Sequence, residues 1–371
     1  MIPPPIITPP PPSRPRKSRG WMIVAIILIV LLAFSLLGNF TQAISHALSF
    51  NNGFNRGFKT VNARQVAPRL DECILEDNDS RNKIAVVTVD GIITSHTADP
   101  SGNNMVDMIK AQLDNAADDS RVKAVILKVD SPGGEVMASD QINKLISKFE
   151  NGSDGKPVIC SMGSLAASGG YYISAPCRWI EANDLTITAS IGVIMEGLNY
   201  RGLMDKLGVQ PNVYKSGKFK DMLSGMRETN EIPPEEHAMV QKLIDETYNK
   251  FKGVVRDGRN AAHQKNGSEG KSLAPDWENY ADGRVVSGTE ALKLGFVDEL
   301  GDFDDAVSRA EKIAHIHSAN LVEYRERYDI GDFLSMFNQS GKSHDIKLDL
   351  GVDIPKLQAG ALYFLWQMPE D

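Results

Sequence analysis

The chain has 371 residues, of which 42% are hydrophobic and 24% are charged, a composition typical of a globular protein with one large or two small domains. Because residues 1–20 contribute +4 to the formal net charge of −8, the remainder is acidic at −12, which excludes nucleic acid as a partner of the folded part. Three cysteines and seven histidines show no metal-ligand spacing, so no metal, no other cofactor and no disulfide scaffold is predicted.

The amino-terminal residues predict a membrane anchor. Residues 1–20 form a proline-rich basic tail that cannot build a helix or a sheet, and we interpret it as a solvated tail, with a ligand for a proline-binding module as the alternative. The run Trp21–Gly38, inside residues 21–40, carries no charge and approaches the roughly 20 residues that a spanning helix needs. Basic residues precede this run and the next one is Arg56, so the positive-inside tendency places the amino terminus in the cytoplasm.

We therefore expect a single-pass protein of the cell membrane, held in the lipid bilayer through residues 21–38, with everything after Gly38 outside the cytoplasm. A cleaved signal peptide is the alternative, because Ser45–Ala47 offers small residues after the apolar run, but the apolar cores of signal peptides usually reach only about 7 to 15 residues. Residues 41–82 are polar and weakly periodic, and we interpret them as a stalk, so that the folded domain begins near Lys83.

The residues that follow predict an α/β fold with mostly parallel strands. Strands are expected at Ile84–Ile93, Val122–Val129 and Pro157–Met162, which are β-branched or apolar runs. Apolar residues at helical spacing predict a helix before the second strand and another before the third: Val106, Ile109, Leu113 and Ala117, then Ile142, Leu145, Ile146 and Phe149. In such a fold, ligand sites lie at the carboxyl ends of the strands.

Two segments at those strand ends are candidates for catalysis. Paired glycines in Asp130–Glu135 let a backbone N–H approach a substrate, as an oxyanion hole requires, although an ordinary strand-to-helix turn is the simpler interpretation of this hexapeptide alone. In Met162–Ala175 a strand is expected to run through a small-residue loop into a helix. Ser168 lies there, where helix-end N–H groups favour a developing negative charge. Its small neighbours are equally consistent with close helix packing.

A serine nucleophile needs a base, and no histidine is adjacent to this serine in the sequence. A lysine can serve as the base if burial and polar partners keep a neutral fraction of it. Lys215, Lys218 and Lys220 lie in one short segment, and their spacing does not choose between them.

Five segments are together similar to the signal peptide peptidase A family, and they occur in the order of that family: Asp130–Gly134, Gly163–Ser174, Thr188–Ile194, Lys215–Asp221 and Gly283–Gly288. The similarity runs from about Lys83 to Ala314. It implies a serine endopeptidase with a Ser-Lys dyad, in the Clp protease/crotonase-like fold of repeated strand-strand-helix units. Because each motif occurs once, the chain resembles the short form of the family, which assembles into homo-oligomeric rings.

The resemblance assigns roles residue by residue. Ser168 falls on the nucleophile of the family, Lys220 on its general base, and Ser190 on the serine that orients the lysine amine. Gly134 falls on the position whose backbone N–H contributes to the oxyanion hole, and the amide of Gly169, or that of the serine before it, is the expected second donor.

One residue departs from the expected pattern. Glu135 stands where a small residue is expected after the glycine pair, and its charge is expected to alter the rim of the site without altering the chemistry.

The predicted function is the degradation of cleaved signal peptides and similar apolar peptides at the membrane surface. A crotonase-like acyl-CoA enzyme and a non-catalytic membrane scaffold are the alternatives, but both leave the serine and lysine motifs without a role. Whether the serine and the lysine come from one subunit or from adjacent subunits stays open.

The carboxyl-terminal residues add little chemistry. A peptidase domain of residues 83–320 includes a packing helix at Pro234–Val255, and residues 321–371 form an extension. In that extension Ala361–Met368 is too short to span a bilayer, and three interpretations stay open: a strand, a membrane-proximal patch or a subunit contact.

Overall fold

The computed structural model describes residues 68–96, 103–152, 155–326 and 362–365. The predicted tail, the predicted anchor at residues 21–40 and the stalk as far as residue 67 lie outside these ranges. Among the described residues, no helix is long and apolar enough to cross a membrane. The membrane anchor stays a prediction.

The strands are as follows in chain order: β1 (Leu70–Glu76), β2 (Lys83–Asp90), β3 (Val122–Ser131), β4 (Gly133–Glu135), β5 (Val158–Ala167), β6 (Trp179–Ala182), β7 (Ile187–Ala189), β8 (Val285–Ser287), β9 (Glu299–Leu300), β10 (Asn320–Glu326) and β11 (Tyr363–Leu365). The α-helices are α1 (Met105–Asp118), α2 (Val136–Glu150), α3 (Gly169–Ser174), α4 (Arg201–Lys206), α5 (Pro234–Asn266), α6 (Gly288–Leu294) and α7 (Phe303–Ile313). Short 3₁₀ helices lie at Thr229–Glu231, Gly267–Glu269 and Trp277–Tyr280.

Nine of the described strands form one sheet, in which most neighbours are parallel. Its main path is β1-β10-β2-β3-β5-β6-β9, and β7 joins it by pairing with the end of β5 and with β8. The pairs β1–β10 and β7–β8 are antiparallel, and the other pairs of this sheet are parallel. The predicted mixed α/β fold with mostly parallel strands is confirmed.

Both predicted borders of the folded domain are corrected by this sheet. β1 pairs with β10 from Leu70 onward, so the fold begins before Lys83 and includes the end of the predicted stalk. The predicted end at residue 320 falls on the first residue of β10, which pairs with β2 near the middle of the sheet. Strand pairing between residues about 250 positions apart leaves no local signal in the sequence, and this explains both errors.

The first two predicted helices are confirmed, with one change of packing. In α1, Ile109 and Leu113 are buried as expected, but Ala116 rather than Ala117 continues the buried face. The third predicted strand does not end at Met162. β5 continues to Ala167 because β7 pairs with its second half, so the expected small-residue loop is strand.

Helix α5 is longer than predicted, because it ends at Asn266 and not at Val255. Its added turns carry Arg259, which is fully buried and donates to Asp298, also fully buried, and to the Cys177 carbonyl at 3.2 Å. Asp298 in turn accepts from Ile180 N at 2.9 Å. This buried ion pair, with further hydrogen bonds to backbone groups on both sides, joins α5 to β6.

A buried carboxyl lies in β6, beside the edge strand β9. Glu181 in β6 is 1% exposed, and neither of its carboxyl oxygens has a hydrogen-bond partner among the described residues. Burial, followed by the negative charge of Glu299 and Asp305, raises the pKa of Glu181 to about 7. In the folded protein the Glu181 carboxyl therefore stays mostly protonated below about pH 7.

We expect Glu181→Gln to stabilise the protein at alkaline pH. A carboxyl whose pKa rises from 4.5 to about 7 on folding favours the folded state below pH 4.5, and this contribution is lost as the pH rises through 7. The variant should exceed the parent by ~3 kcal/mol in unfolding free energy at pH 8, and the difference should shrink toward pH 5. Urea unfolding at both pH values measures it. The exposed Glu290→Gln is the control, and an equal difference at both pH values would contradict the assignment.

Candidate active site

Ser168 occupies a strained turn between the central strand β5 and helix α3. Its backbone has φ 53° and ψ −114°, a region that non-glycine residues rarely adopt. The Ser168 carbonyl accepts from Tyr172 N at 2.8 Å, which begins the helix. Strained strand-to-helix turns of this kind expose the nucleophilic serine in hydrolases of another fold, because they lift the hydroxyl above the sheet and point helix N–H groups at it.

Parallel pairing brings Ser190 beside Ser168. Ala167 in β5 is the register partner of Ala189 in β7, so the two serines each lie one residue beyond a paired position. The Ser168 N–H donates to the Ala189 carbonyl at 2.8 Å. Ser190 also has a positive φ of 51°, and its hydroxyl donates to the Gly283 carbonyl at 3.2 Å. The sequence places these serines 22 positions apart, and the sheet makes them neighbours.

The two glycine segments meet at the same place. A Cβ built on Gly169 would lie 3.0 Å from Gly133 Cα and 3.1 Å from Gly134 N, so the backbones are in van der Waals contact. A Cβ on Gly134 would lie 2.0 Å from the Ile93 carbonyl oxygen, and Gly133 has φ +100°. Only glycine fits these positions. The predicted oxyanion donors, the amides of Gly134 and Gly169, therefore lie beside each other next to Ser168.

Glu135 turns away from this glycine cradle. Its carboxylate accepts from Ser95 N at 3.0 Å, from the Thr94 hydroxyl at 2.9 Å and from the Ser95 hydroxyl at 2.6 Å, and it pairs with His96. Burial raises the pKa of Glu135, but these hydrogen bonds lower it by more, so that it lies below its ordinary value. The carboxylate closes a turn at residues 94–96 and is anchored there.

Ser168 and Ser190 line one cavity of about 490 Å³. The loop after Ser190 forms one wall and helix α5 forms another. The other lining residues are Gly192, Val193, Ile194, Gln241, Ile244, Asp245, Tyr248, Asp282, Gly283 and Leu365. The sequence assigned only packing to this helix. The contribution of α5 to the site was missed because polar residues four apart on a helix, such as Gln241 and Asp245, are typical of a solvated surface.

Lys220 does not line this cavity in the protomer. It is exposed, in a segment of turns between α4 and α5. Of the other two candidate lysines, Lys215 pairs with Asp221 at 2.7 Å and Lys218 pairs with Glu235 at 3.4 Å. Within the described ranges, Lys220 has no ion-pair partner. The structure brings the two serines and the two glycines together, and it leaves the lysine apart from them.

Comparison with known proteins identifies a peptidase family. The profile described as Peptidase family S49 matches residues 150–317. A protein of Enterococcus faecium assigned as a signal peptide peptidase SppA is 35% identical over 263 residues, which cover 69% of this chain and 71% of that protein. The chain belongs to peptidase family S49. The predicted family, that of signal peptide peptidase A, is confirmed, and so is the predicted enzyme class, a serine peptidase.

Other similar proteases differ in length. A protein of Synechocystis sp. assigned as protease slr0021 is 39% identical over 235 residues, covering 63% of this chain and 76% of that protein. Protease 4 of Salmonella typhi is 33% identical over 276 residues, covering 74% of this chain but only 42% of its own length. The S49 chain described here therefore spans less than half of protease 4.

Proposed function

We propose that this S49 peptidase is an endopeptidase in which Ser168 attacks the carbonyl carbon of a peptide bond. The observation that carries the proposal is the strained turn at Ser168, which lies next to the paired amides of Gly134 and Gly169. When the hydroxyl adds to the carbonyl, the oxygen gains negative charge, and two preorganised N–H groups stabilise it better than water does. No cofactor takes part in this chemistry.

Lys220 is the proposed general base. Lys215 and Lys218 are each held in an ion pair with a carboxylate, at 2.7 Å from Asp221 and 3.4 Å from Glu235. Lys220 is the candidate without such a partner among the described residues. Ser190 lies in the Ser168 cavity, and its hydroxyl donates to a backbone carbonyl, so its oxygen lone pairs are available to accept from the lysine and orient it.

We further propose that Lys220 reaches the serine of an adjacent copy in a homo-oligomeric ring. Residues 198–220, which include Lys220, expose large apolar side chains, an unusual feature for a monomer surface. They are Leu198 at 87%, Leu203 at 59%, Leu207 at 69%, Val213 at 53% and Tyr214 at 89% exposed. Burying this face against a neighbour removes apolar area from water, and it brings the lysine into the drier setting that a base needs.

The proposed substrates are cleaved signal peptides and similar apolar peptides. The assigned name of the Enterococcus faecium relative supports the class, as do the apolar residues around the cavity. The apolar run at residues 21–38 supports anchoring in the cell membrane, with a cytoplasmic amino terminus and the peptidase outside, and the family likeness supports a Clp protease/crotonase-like arrangement of the strands.

A fluorophosphonate probe tests the nucleophile directly. We expect one covalent adduct, located at Ser168 by peptide mass spectrometry, because phosphonylation requires an activated hydroxyl beside oxyanion donors. Ser164 is an exposed serine on the same strand. The probe should label the Ser164→Ala variant as strongly as it labels the parent. Labelling at another serine, or undiminished labelling of Ser168→Ala, would refute the proposal.

A further inference from the structure

Residues 207–228, here called the lysine segment because they carry Lys220, contain neither a helix nor a strand. The backbone hydrogen bonds inside the segment span three residues, as does the bond from Lys220 N to the Gly217 carbonyl at 3.4 Å. Bonds of this range shape turns, but they do not fix where the turns lie relative to the rest of the protein. The position of Lys220 therefore depends on contacts that other groups make.

Arg227 joins the lysine segment to the chain that follows it. Its Nη1 donates to the Asp221 carbonyl at 3.3 Å, and its Nε lies 3.7 Å from the carboxylate of Asp221, the neighbour of Lys220 in the chain. Its Nη2 donates to the Glu231 carbonyl at 2.8 Å. Because the Arg227 side chain is only 11% exposed, these charge-assisted contacts are made largely out of water, where they are strong.

Glu236, in the first turn of α5, fastens this network to the helix. Its carboxylate accepts from Arg227 Nη1 at 2.7 Å and from Leu223 N at 3.0 Å, and its side chain is 4% exposed. Leu223 has φ 65°, a conformation that a non-glycine residue keeps only where its surroundings hold it. Burial raises the pKa of Glu236, but the hydrogen bonds from Arg227 and Leu223 N lower it by more, so that it lies below its ordinary value. The ion pair is therefore charged at neutral pH.

Helix α5 extends from Glu236 to the cavity that holds Ser168. Gln241, Ile244 and Tyr248 line that cavity. They follow Glu236 by five to twelve residues, or about 8 to 18 Å along a helix that rises 1.5 Å per residue. The ion pair thus ties the lysine segment to the same rigid element that forms a wall of the serine cavity.

A second ion pair joins the lysine segment to the same turn of α5, and it differs in burial. Lys218 Nζ lies 3.4 Å from the Glu235 carboxylate, and these side chains are 61% and 62% exposed. Exposed pairs of this kind contribute little, because water and salt screen them. The buried pair of Arg227 and Glu236 therefore has the larger part in holding the segment in place.

We propose that Arg227 and Glu236 are positioning residues, which hold Lys220 where its amine can take the proton of the attacking serine hydroxyl. The proposal rests on the function proposed above, in which Lys220 is the general base, and it adds two residues that act only through that lysine. Neither residue lines the cavity of Ser168. Loss of the pair therefore slows the chemical step and leaves peptide binding unchanged.

Single variants of the full chain test this role with an apolar fluorogenic peptide. Arg227→Ala should lower kcat about 10- to 100-fold with KM within about twofold of the parent, because a displaced base forfeits part of the usual 10²- to 10⁴-fold contribution. Arg227→Lys keeps the charge opposite Glu236 but not the forked donors, so it should recover part of the rate. Glu235→Gln, which weakens only the exposed pair, is the matched control and should keep the parent rate. A raised KM with unchanged kcat in Arg227→Ala would overturn the positioning role.

A double variant separates positioning from a general structural role. If Arg227 acts through the lysine, then Lys220→Ala and Lys220→Ala, Arg227→Ala should hydrolyse the peptide at the same rate. If Arg227→Ala does not fold, Glu236→Gln replaces it in this comparison, since it keeps the shape of the side chain and an acceptor for Leu223 N. A further loss in the double variant, as large as in the single one, would overturn the positioning role and leave the base assignment intact. Full activity of Lys220→Ala would refute the base itself, and the positioning role with it.

Discussion

Replacing Ser168 by alanine is expected to lower kcat/KM for peptide hydrolysis on the order of 10⁴-fold or more, because loss of the nucleophile leaves only binding and the oxyanion donors to accelerate the reaction. The fold should persist. Position 168 already has a non-glycine residue at φ 53°, so an alanine there adds no backbone strain that the serine does not already cause. Initial rates with a fluorogenic apolar peptide measure the loss, and thermal unfolding verifies the fold.

Ser164→Ala is the matched control, since it removes a hydroxyl from the exposed side of the same strand, and it should keep the parent rate. Ser190→Ala should give an intermediate loss, because it removes a group proposed to orient the base and not one that reacts. If Ser168→Ala kept more than a tenth of the parent activity, the nucleophile would have to be another group.

Lys220→Ala is expected to lower kcat by about 10²- to 10⁴-fold, the usual contribution of general base catalysis. Lys215→Ala and Lys218→Ala are the controls, because these lysines lie in the same segment and face carboxylates. Their effects should stay small. A larger loss in either control than in Lys220→Ala would move the base assignment to that lysine.

Mixing inactive variants tests whether adjacent copies share the dyad. When Ser168→Ala and Lys220→Ala subunits exchange in equal amounts, about a quarter of the parent activity should return, because some intact serines then face an intact lysine of a neighbour. Co-expression of differently tagged copies provides the mixed assemblies. If the mixture stayed inactive while gel filtration showed mixed oligomers, both residues would belong to one subunit.

Local patterns predicted much of the fold because buried strands and amphipathic helices carry their own periodicity. Runs such as Ile84–Ile93 and Val122–Val129 were identified as strands, and the structure confirms both, with borders shifted by a few residues. Parallel order followed from the alternation of strands with helices. The same reasoning placed Ser168 at a strand end, where the structure has it.

Long-range pairing was outside the reach of these patterns. β1 and β10 were assigned to a stalk and to an extension, since β1 joins the sheet only by pairing with β10, and β10 joins it by pairing with β1 and β2. Ala361–Met368 had three open interpretations, and the structure selects a strand for its central residues, Tyr363–Leu365. Pairing with β4, some 230 residues earlier, decides that outcome.

By itself, the sequence determined the family and the enzyme class, because short motifs around Ser168 and the glycine pair are local and their order along the chain is specific. The tertiary structure alone decided which groups meet. Strand register brings Ser190 to Ser168, backbone contact joins Gly134 to Gly169, and the strand β11 pairs with β4. These contacts depend on distances between residues far apart in the chain, and no local preference encodes them.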